Sequence, residues 1–252
     1  MRIIINADDC GLSEIVDKEI EYCIRHGLIS STTIMANMDD FEGARRLYDT
    51  YGNAVSFGWH MNLTEGEPLT KSQALLDYGY FVEEGGKVRM NGMAFWKRMH
   101  FPKTIQEEIK KELRAQIGKI RDSGIVVSHA DGHQHIHTSP ALLLVVPPLL
   151  QELKIDKCRR MRNCVPSPIG RTLRQLSMIG YKWQGIRMPD AFAPLRDYLA
   201  NPKIYGGEGF LELMVHPGVS EAVNPKGAEE YAMLKSTDMS TLGARLATYR
   251  EL

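Results

Sequence analysis

Near its start the chain reads NADDCGLS, and Asp8 and Asp9 stand side by side just after the apolar run Ile3-Ile4-Ile5. Like charges at the end of such a run repel unless something positive stands with them. Three more polar clusters have the same placement. His60 ends the run AVSFGW, the segment SHADGHQHIH (His129, His133, His135, His137) follows Ile125-Val126-Val127, and His216 follows LELMV. Aspartate and histidine are oxygen and nitrogen ligands for a divalent ion. Adjacent aspartates point in different directions. One can bind the ion while the other takes a proton from a water that the ion acidifies. The metal and the water then offset the repulsion between the two carboxylates. Of the four histidines in SHADGHQHIH, two at most are expected near the ion, because a turn or strand end cannot aim all four at one point.

Each cluster has a plainer explanation when taken alone. Asp8-Asp9 could cap the next helix. His60 could be a satisfied core histidine, and His135 and His137 structural hydrogen-bonders. Cys10 reads as a small buried apolar residue rather than a nucleophile. Trp59 and Trp183 could stack on sugars, but core packing suits either one better. The metal reading prevails because every cluster follows a predicted strand. In a parallel α/β fold all strand C-termini lie on one side, where sites form.

The elements that must place these residues are legible in the apolar pattern. Ile3–Ile5 has the continuous apolar character of a strand buried on both faces. Ser13 caps a helix reaching about Arg25, with Gly27 as its stop. A strand over Leu28–Met35, a helix over Ala44–Tyr51 ending at Gly52, and a strand over Ala54–Trp59 complete a β-α-β-α-β unit, which implies a parallel sheet with right-handed crossovers. Residues 64–103 break this rhythm and read as an insertion over one end of the sheet. Thr104 to Glu107 has capping-box spacing. Ile105, Ile109, Leu113, Ile117 and Ile120 then form one helical stripe. Ile125–Val127 reads as a strand, with a helix from about Pro140. A strand is expected over Arg159–Asn163, a helix over Thr172–Ile179 and a strand over Leu211–Val215. From Ala228 the tail is mostly helical, with a break near Ser236–Ser240. No linker, repeat or low-complexity tract interrupts the chain, so residues 1–252 are read as one domain.

The totals narrow the function. The 252 residues suit one α/β barrel, and Lys+Arg equals Asp+Glu at 31 each. Without a basic excess, neither nucleic acid nor an anionic membrane is an expected partner. A neutral substrate such as a sugar fits this balance, and so does a homodimer. None of the four cysteines is spaced C-x-x-C. Only Met-Arg precedes the first strand, and the most apolar run, Ala141–Leu150, is short and broken by Pro147 and Pro148. A soluble cytoplasmic protein with reduced thiols is the expectation.

Five segments, NADDCGLS, SSTTIMANM, FGWHMNLTEGEPL, SHADGHQHIH and ELMVHPG, run in order from residue 6 to residue 218. Together they resemble the YdjC-type carbohydrate deacetylases, the chitooligosaccharide deacetylase family. That resemblance implies a distorted (β/α) barrel related to polysaccharide deacetylases and one divalent ion held by one Asp and two His. Carried onto this chain, the ligands are Asp9, His60 and His133, the general base is Asp8, and the general acid is His216. Cys10 stands where the family usually has an aromatic, and Gly132 where a small hydroxyl residue is common; neither change removes a ligand. The resemblance leans toward magnesium, whereas ligand type suits zinc or another transition metal better.

These readings lead to a metal-dependent hydrolase that removes N-acetyl groups from a small amino sugar, with chitooligosaccharides such as diacetylchitobiose expected as substrate. The alternatives are a deacetylase of another N-acetylated sugar or glycolipid intermediate, or a non-catalytic sugar-binding barrel. An intact Asp8 argues against the last, because a binder needs no general base.

Overall fold

The structure, a computed structural model, describes residues 1–97, 99–163, 172, 176, 178–205, 207, 209–242 and 244–252. Its centre is a curled parallel sheet in the order β6-β3-β2-β1-β8-β7, with β9 also paired to β1. These strands are β1 Arg2–Cys10, β2 Ser31–Ile34, β3 Ser56–Met61, β6 Ala130–Gly132, β7 Ala191–Pro194, β8 Phe210–Val215 and β9 Arg245–Leu246. Parallel bridges from Ala130 to Cys158 and from Lys157 to Arg187 continue the curl beyond β6. The result is the parallel sheet that the apolar runs predict, curled into the distorted (β/α) barrel that the family resemblance implies. Among the described residues no helix is long and apolar enough to cross a membrane.

The central strand β1 is buried from Ile3 to Cys10. The helices that return the chain to the sheet are α1 Glu14–Arg25 and α2 Phe41–Tyr51, each capped by an acceptor side chain, Ser13 and Asp40. Burial of one helical face against the sheet is what holds such crossovers in place. The helix α5, Lys103–Asp122, buries the whole predicted stripe from Ile105 to Ile120. It also buries Glu112 and Gln116. Glu112 accepts the backbone N–H of Leu69 and Thr70, and Gln116 bonds the backbone N–H and carbonyl of Asn62. These contacts pin the chain where it leaves β3.

Residues 64–103 form α3 (Gln73–Asp77), an antiparallel hairpin of β4 (Phe81–Glu84) and β5 (Lys87–Met90), and α4 (Gly92–Trp96). Tyr80, Phe81, Phe95 and Phe101 are buried in this segment.

Some expectations need correction. The capping box at Thr104 does not form: Pro102 is the N-cap and makes no side-chain cap bond. Proline fixes φ for helix entry and so moves the start ahead of Thr104. The strand expected at Ile125–Val127 lies further on, at Ala130–Gly132. Val126 is 76% exposed, so its apolar character reflects no buried face. Arg159–Asn163 forms no strand; only the isolated bridges at Lys157 and Cys158 lie just before it. Half of the expected helix at Thr172–Ile179 lies outside the described residues. Cys10, Cys23 and Cys158 are free and buried.

Below the site, His129 lies flat between Gly58 and Tyr249, stacked on the tyrosine with ring centroids 3.5 Å apart and planes 8° from parallel. A Cβ at Gly58 would come within 2.5–2.7 Å of the His129 ring. Gly58→Ala should therefore destabilise the fold by about 1–3 kcal/mol, as overpacking does. Thermal unfolding checks this: an unchanged melting temperature would mean that the ring can slide aside.

Candidate functional site

A bulge creates the site at the end of β1. Its register against β2 shifts between Ala7 and Cys10, and Asp9 takes a left-handed backbone conformation with φ of 69°. A bulge re-aims side chains at a strand end. Here it sends the two aspartates to different partners.

Asp9 faces two imidazoles. Its Oδ1 lies 2.8 Å from His133 Nδ1 and 3.2 Å from His60 Nε2. His60 comes from β3, and His133 begins a 3₁₀ segment, His133–Thr138, directly after β6. Two atoms that each bind one ion at about 2.1 Å lie roughly 3–3.5 Å apart at tetrahedral or octahedral angles, so this spacing fits a shared divalent ion. The other nitrogen of each ring also fits. His60 Nδ1 is 2.6 Å from Asp131 Oδ1, and His133 Nε2 is 2.7 Å from Glu65 Oε1. Metal-ligating histidines characteristically pass their second ring nitrogen to a carboxylate. Without an ion, burial disfavours charge on both rings. The carboxylates of Asp131 and Asp9 outweigh it at His60, and that of Asp9, with the Glu65 bond, at His133, raising them to about 10 and about 9.

Asp8 has a different partner. Arg159, with no exposed surface, grips it bidentately: Nη1 donates to Oδ2 and Nη2 to Oδ1, each at 2.6 Å. Asn6 Nδ2 donates to the same carboxylate at 2.8 Å. Burial alone would favour the neutral acid, but the guanidinium overrides it and holds Asp8 far below the usual carboxylate range. Arg159 also reaches Asp131 Oδ2 at 2.9 Å and Glu212 Oε1 at 2.8 Å. Glu212 in turn accepts the Tyr249 hydroxyl at 2.5 Å. Asp8, His60 and Asp131 thus form a second acidic cluster, but its cation is the guanidinium.

His216 follows β8 directly and lines the same cavity, of about 320 Å³, as Asp8, Asp9, His60 and His133. Its Nδ1 is 3.4 Å from Glu230 Oε2, on the helix Pro225–Ser236. Burial pulls its pKa down, while Glu230 and the two aspartates raise it above the ordinary value. All five residues singled out in the sequence therefore meet in one place. His135 also lines the cavity, whereas burial holds His129 and His137 neutral elsewhere. Gly132 has a packing reason: a Cβ there would lie 2.8 Å from Ile136 and 3.0 Å from His137.

The family model for YdjC-like proteins matches residues 2–245. The chain belongs to the YdjC family. A carbohydrate deacetylase of Halalkalibacterium halodurans is 28% identical over 96% of the YdjC chain and 95% of its own. A chitooligosaccharide deacetylase of Proteus mirabilis is 27% identical over 99% and 98%. A carbohydrate deacetylase of Brevibacillus brevis is 34% identical over 62% of the chain, a match that spans 58% of that relative's length. A solved Enterococcus faecalis protein, assigned only provisionally to cellobiose-phosphate cleavage, superposes with a TM-score of 0.76 at 22% identity, covering 99% of this chain and 98% of its own. That likeness supports the fold.

Sequence reasoning missed Arg159, Asp131, Glu65 and Glu230. Asp131 had a signal within SHADGHQHIH, because it is the direct strand neighbour of His60. Asp131→Asn should lower divalent-ion affinity about 10- to 100-fold while keeping all three ligands. His60→Ala and His133→Ala should nearly abolish it. Because both rings carry protons in the ion-free protein, ion uptake at pH 7 should release protons and weaken as pH falls. Calorimetry with zinc in buffers of different ionisation enthalpy reads affinity and proton release together; Asp131→Asn matching the wild type would disprove the carboxylate's role.

Proposed function

We propose that this YdjC protein is a metal-dependent hydrolase that removes N-acetyl groups from a small amino sugar, with chitooligosaccharides such as diacetylchitobiose as its substrates. One observation carries the reading: adjacent aspartates are divided between a three-residue ligand set and a buried arginine, with His216 across the same cavity. A sugar-binding barrel needs a ligand pocket but no such division. The names of the relatives support carbohydrate as the substrate class. The whole chain, 1–252, acts as one domain in this proposal, and its partner is a small neutral carbohydrate rather than nucleic acid or membrane.

Asp9, His60 and His133 would hold the ion. Zinc or another transition metal fits one carboxylate and two imidazoles by ligand type; magnesium is the choice that family resemblance favours. When bound, a divalent ion there supplies Lewis-acid polarisation of the amide carbonyl and acidifies the attacking water.

The protein's own groups handle the protons. Asp8 is ionised throughout the neutral range, so it is always ready to accept the proton of the attacking water. Its low basicity makes it a weak base, and orientation by Arg159 is what it contributes in return. Glu230 behind His216 favours its protonated form, and in the acid role that ring gives its proton to the leaving amine. Acidic inhibition is expected from loss of the ion as His60 and His133 protonate. Above the raised His216 pKa the acid is lost and turnover falls.

An amide nitrogen leaves poorly unless protonated, whereas an aryl alcohol leaves unaided. His216→Ala should cut acetate release from diacetylchitobiose by about 10²- to 10⁴-fold, cut aryl acetate hydrolysis far less, and leave ion content unchanged. Equal losses on both substrates with a lowered melting temperature would reduce His216 to a structural strand-end residue. Acetate assays over several N-acetylated sugars test the substrate class.

A further inference from the structure

The catalytic cavity is small. At about 320 Å³ it stands at the lower end of ligand sites, so one sugar ring near Asp9 largely fills it. A further ring must lie outside it, over the rim or toward the neighbouring cavity that shares His135.

One side of that rim is built by the 64–103 segment. Glu65 reaches His133 from there, and Trp96, the last residue of α4, donates its indole N–H to Gln134 Oε1 at 3.2 Å. Gln134 lines the catalytic cavity between His133 and His135. The indole is thus tied to the edge of the site without lining its interior.

Trp96 is not needed to build its own segment. Its neighbour Phe95 is fully buried beside Tyr80 and Phe101, while Trp96 is 46% exposed. Phe95 meets the indole edge-on, with ring centroids 5.0 Å apart and planes at 89°. Two contacts therefore fix the ring, one through its N–H and one through Phe95. Met93, one helical turn earlier on the same face, is also exposed, at 71%. The anchor itself stands on an unfavourable backbone: Gln134 and His135 have φ of 50° and 60°. Strain of this kind persists where the surroundings over-determine it and clusters at ligand sites.

We propose that Trp96 is the platform of a second sugar subsite, which receives a pyranose ring adjoining the one in the catalytic cavity. A pyranose has an apolar C–H face and a polar hydroxyl rim. An indole held by its N–H presents a flat apolar face with little orientational freedom left to lose, which suits that ring and not a phosphate or a metal. The subsite makes the preferred ligand a neutral oligosaccharide of at least two rings. It rests on the carbohydrate reading above and adds chain length to it.

The test compares diacetylchitobiose with N-acetylglucosamine on the wild type, Trp96→Ala and Trp96→Phe, by acetate release and by tryptophan fluorescence titration. Loss of the platform should weaken the disaccharide about tenfold in kcat/KM and in binding, leave the monosaccharide unchanged, and be partly restored in Trp96→Phe. Disaccharide binding should also quench wild-type fluorescence, and Trp96→Ala should lose that quench. Equal effects on both sugars, or none on either, would overturn the subsite. Titration separates the two proposals: disaccharide binding that depends on Trp96 without acetate release would remove the catalytic reading and keep the subsite. Wild-type protein that binds no disaccharide would overturn the subsite directly.

Discussion

A buried guanidinium holds the candidate-site end of the barrel together. Arg159 lies among three carboxylates, Asp8 from β1, Asp131 from β6 and Glu212 from β8. Removing a cation and its partners from water is costly, and only good geometry with further hydrogen bonds offsets the cost. Here the bidentate grip on Asp8, the Tyr249 hydroxyl on Glu212 and Thr33 on Asp131 supply those bonds. The arrangement leaves more negative than positive charge in the interior. At Glu212 burial raises the pKa, the guanidinium opposes this, and it settles at about 7. The same network ties three strands to one point, so displacement of any of them disturbs Asp8.

The second constraint is the difference between two neighbouring aspartates. In a regular strand they would point to opposite faces of the sheet. The bulge and the left-handed Asp9 bring both to one mouth while keeping their partners apart. Asp8 is committed to the interior cation. Asp9 is left to the histidine pair, and each histidine is braced from behind by its own carboxylate, Asp131 or Glu65. Sites built this way gain precision because the supporting groups have few other conformations.

The positions of Asp8, Asp9, His60 and His216 were legible because each stands at or just beyond the C-terminal end of an apolar run, and a parallel sheet collects such ends; His133 follows the short strand Ala130–Gly132 and was singled out among its neighbours only by the family resemblance. The residues behind them were harder to see. Arg159 lies 151 positions from Asp8, in the basic stretch CRRMRN, where no pattern separates it from Arg160 or Arg162. Glu212 did leave a trace, as a lone charge within LELMV that must find a partner once buried. Glu65 and Glu230 act through tertiary contacts that periodicity does not encode. The strand expected at Ile125–Val127 failed for a related reason: apolar composition marks burial, and Val126 faces solvent.

The central claim is that Asp8 and Asp9 have separate jobs despite being neighbours. Asp8→Asn and Asp9→Asn are nearly isosteric and test it directly when ion affinity and acetate release from diacetylchitobiose are measured on the same preparations. The account predicts that Asp8→Asn keeps its ion and loses about 10²- to 10⁴-fold in turnover, while Asp9→Asn loses both. Matching behaviour of the two variants, with either both retaining or both losing the ion, would contradict it.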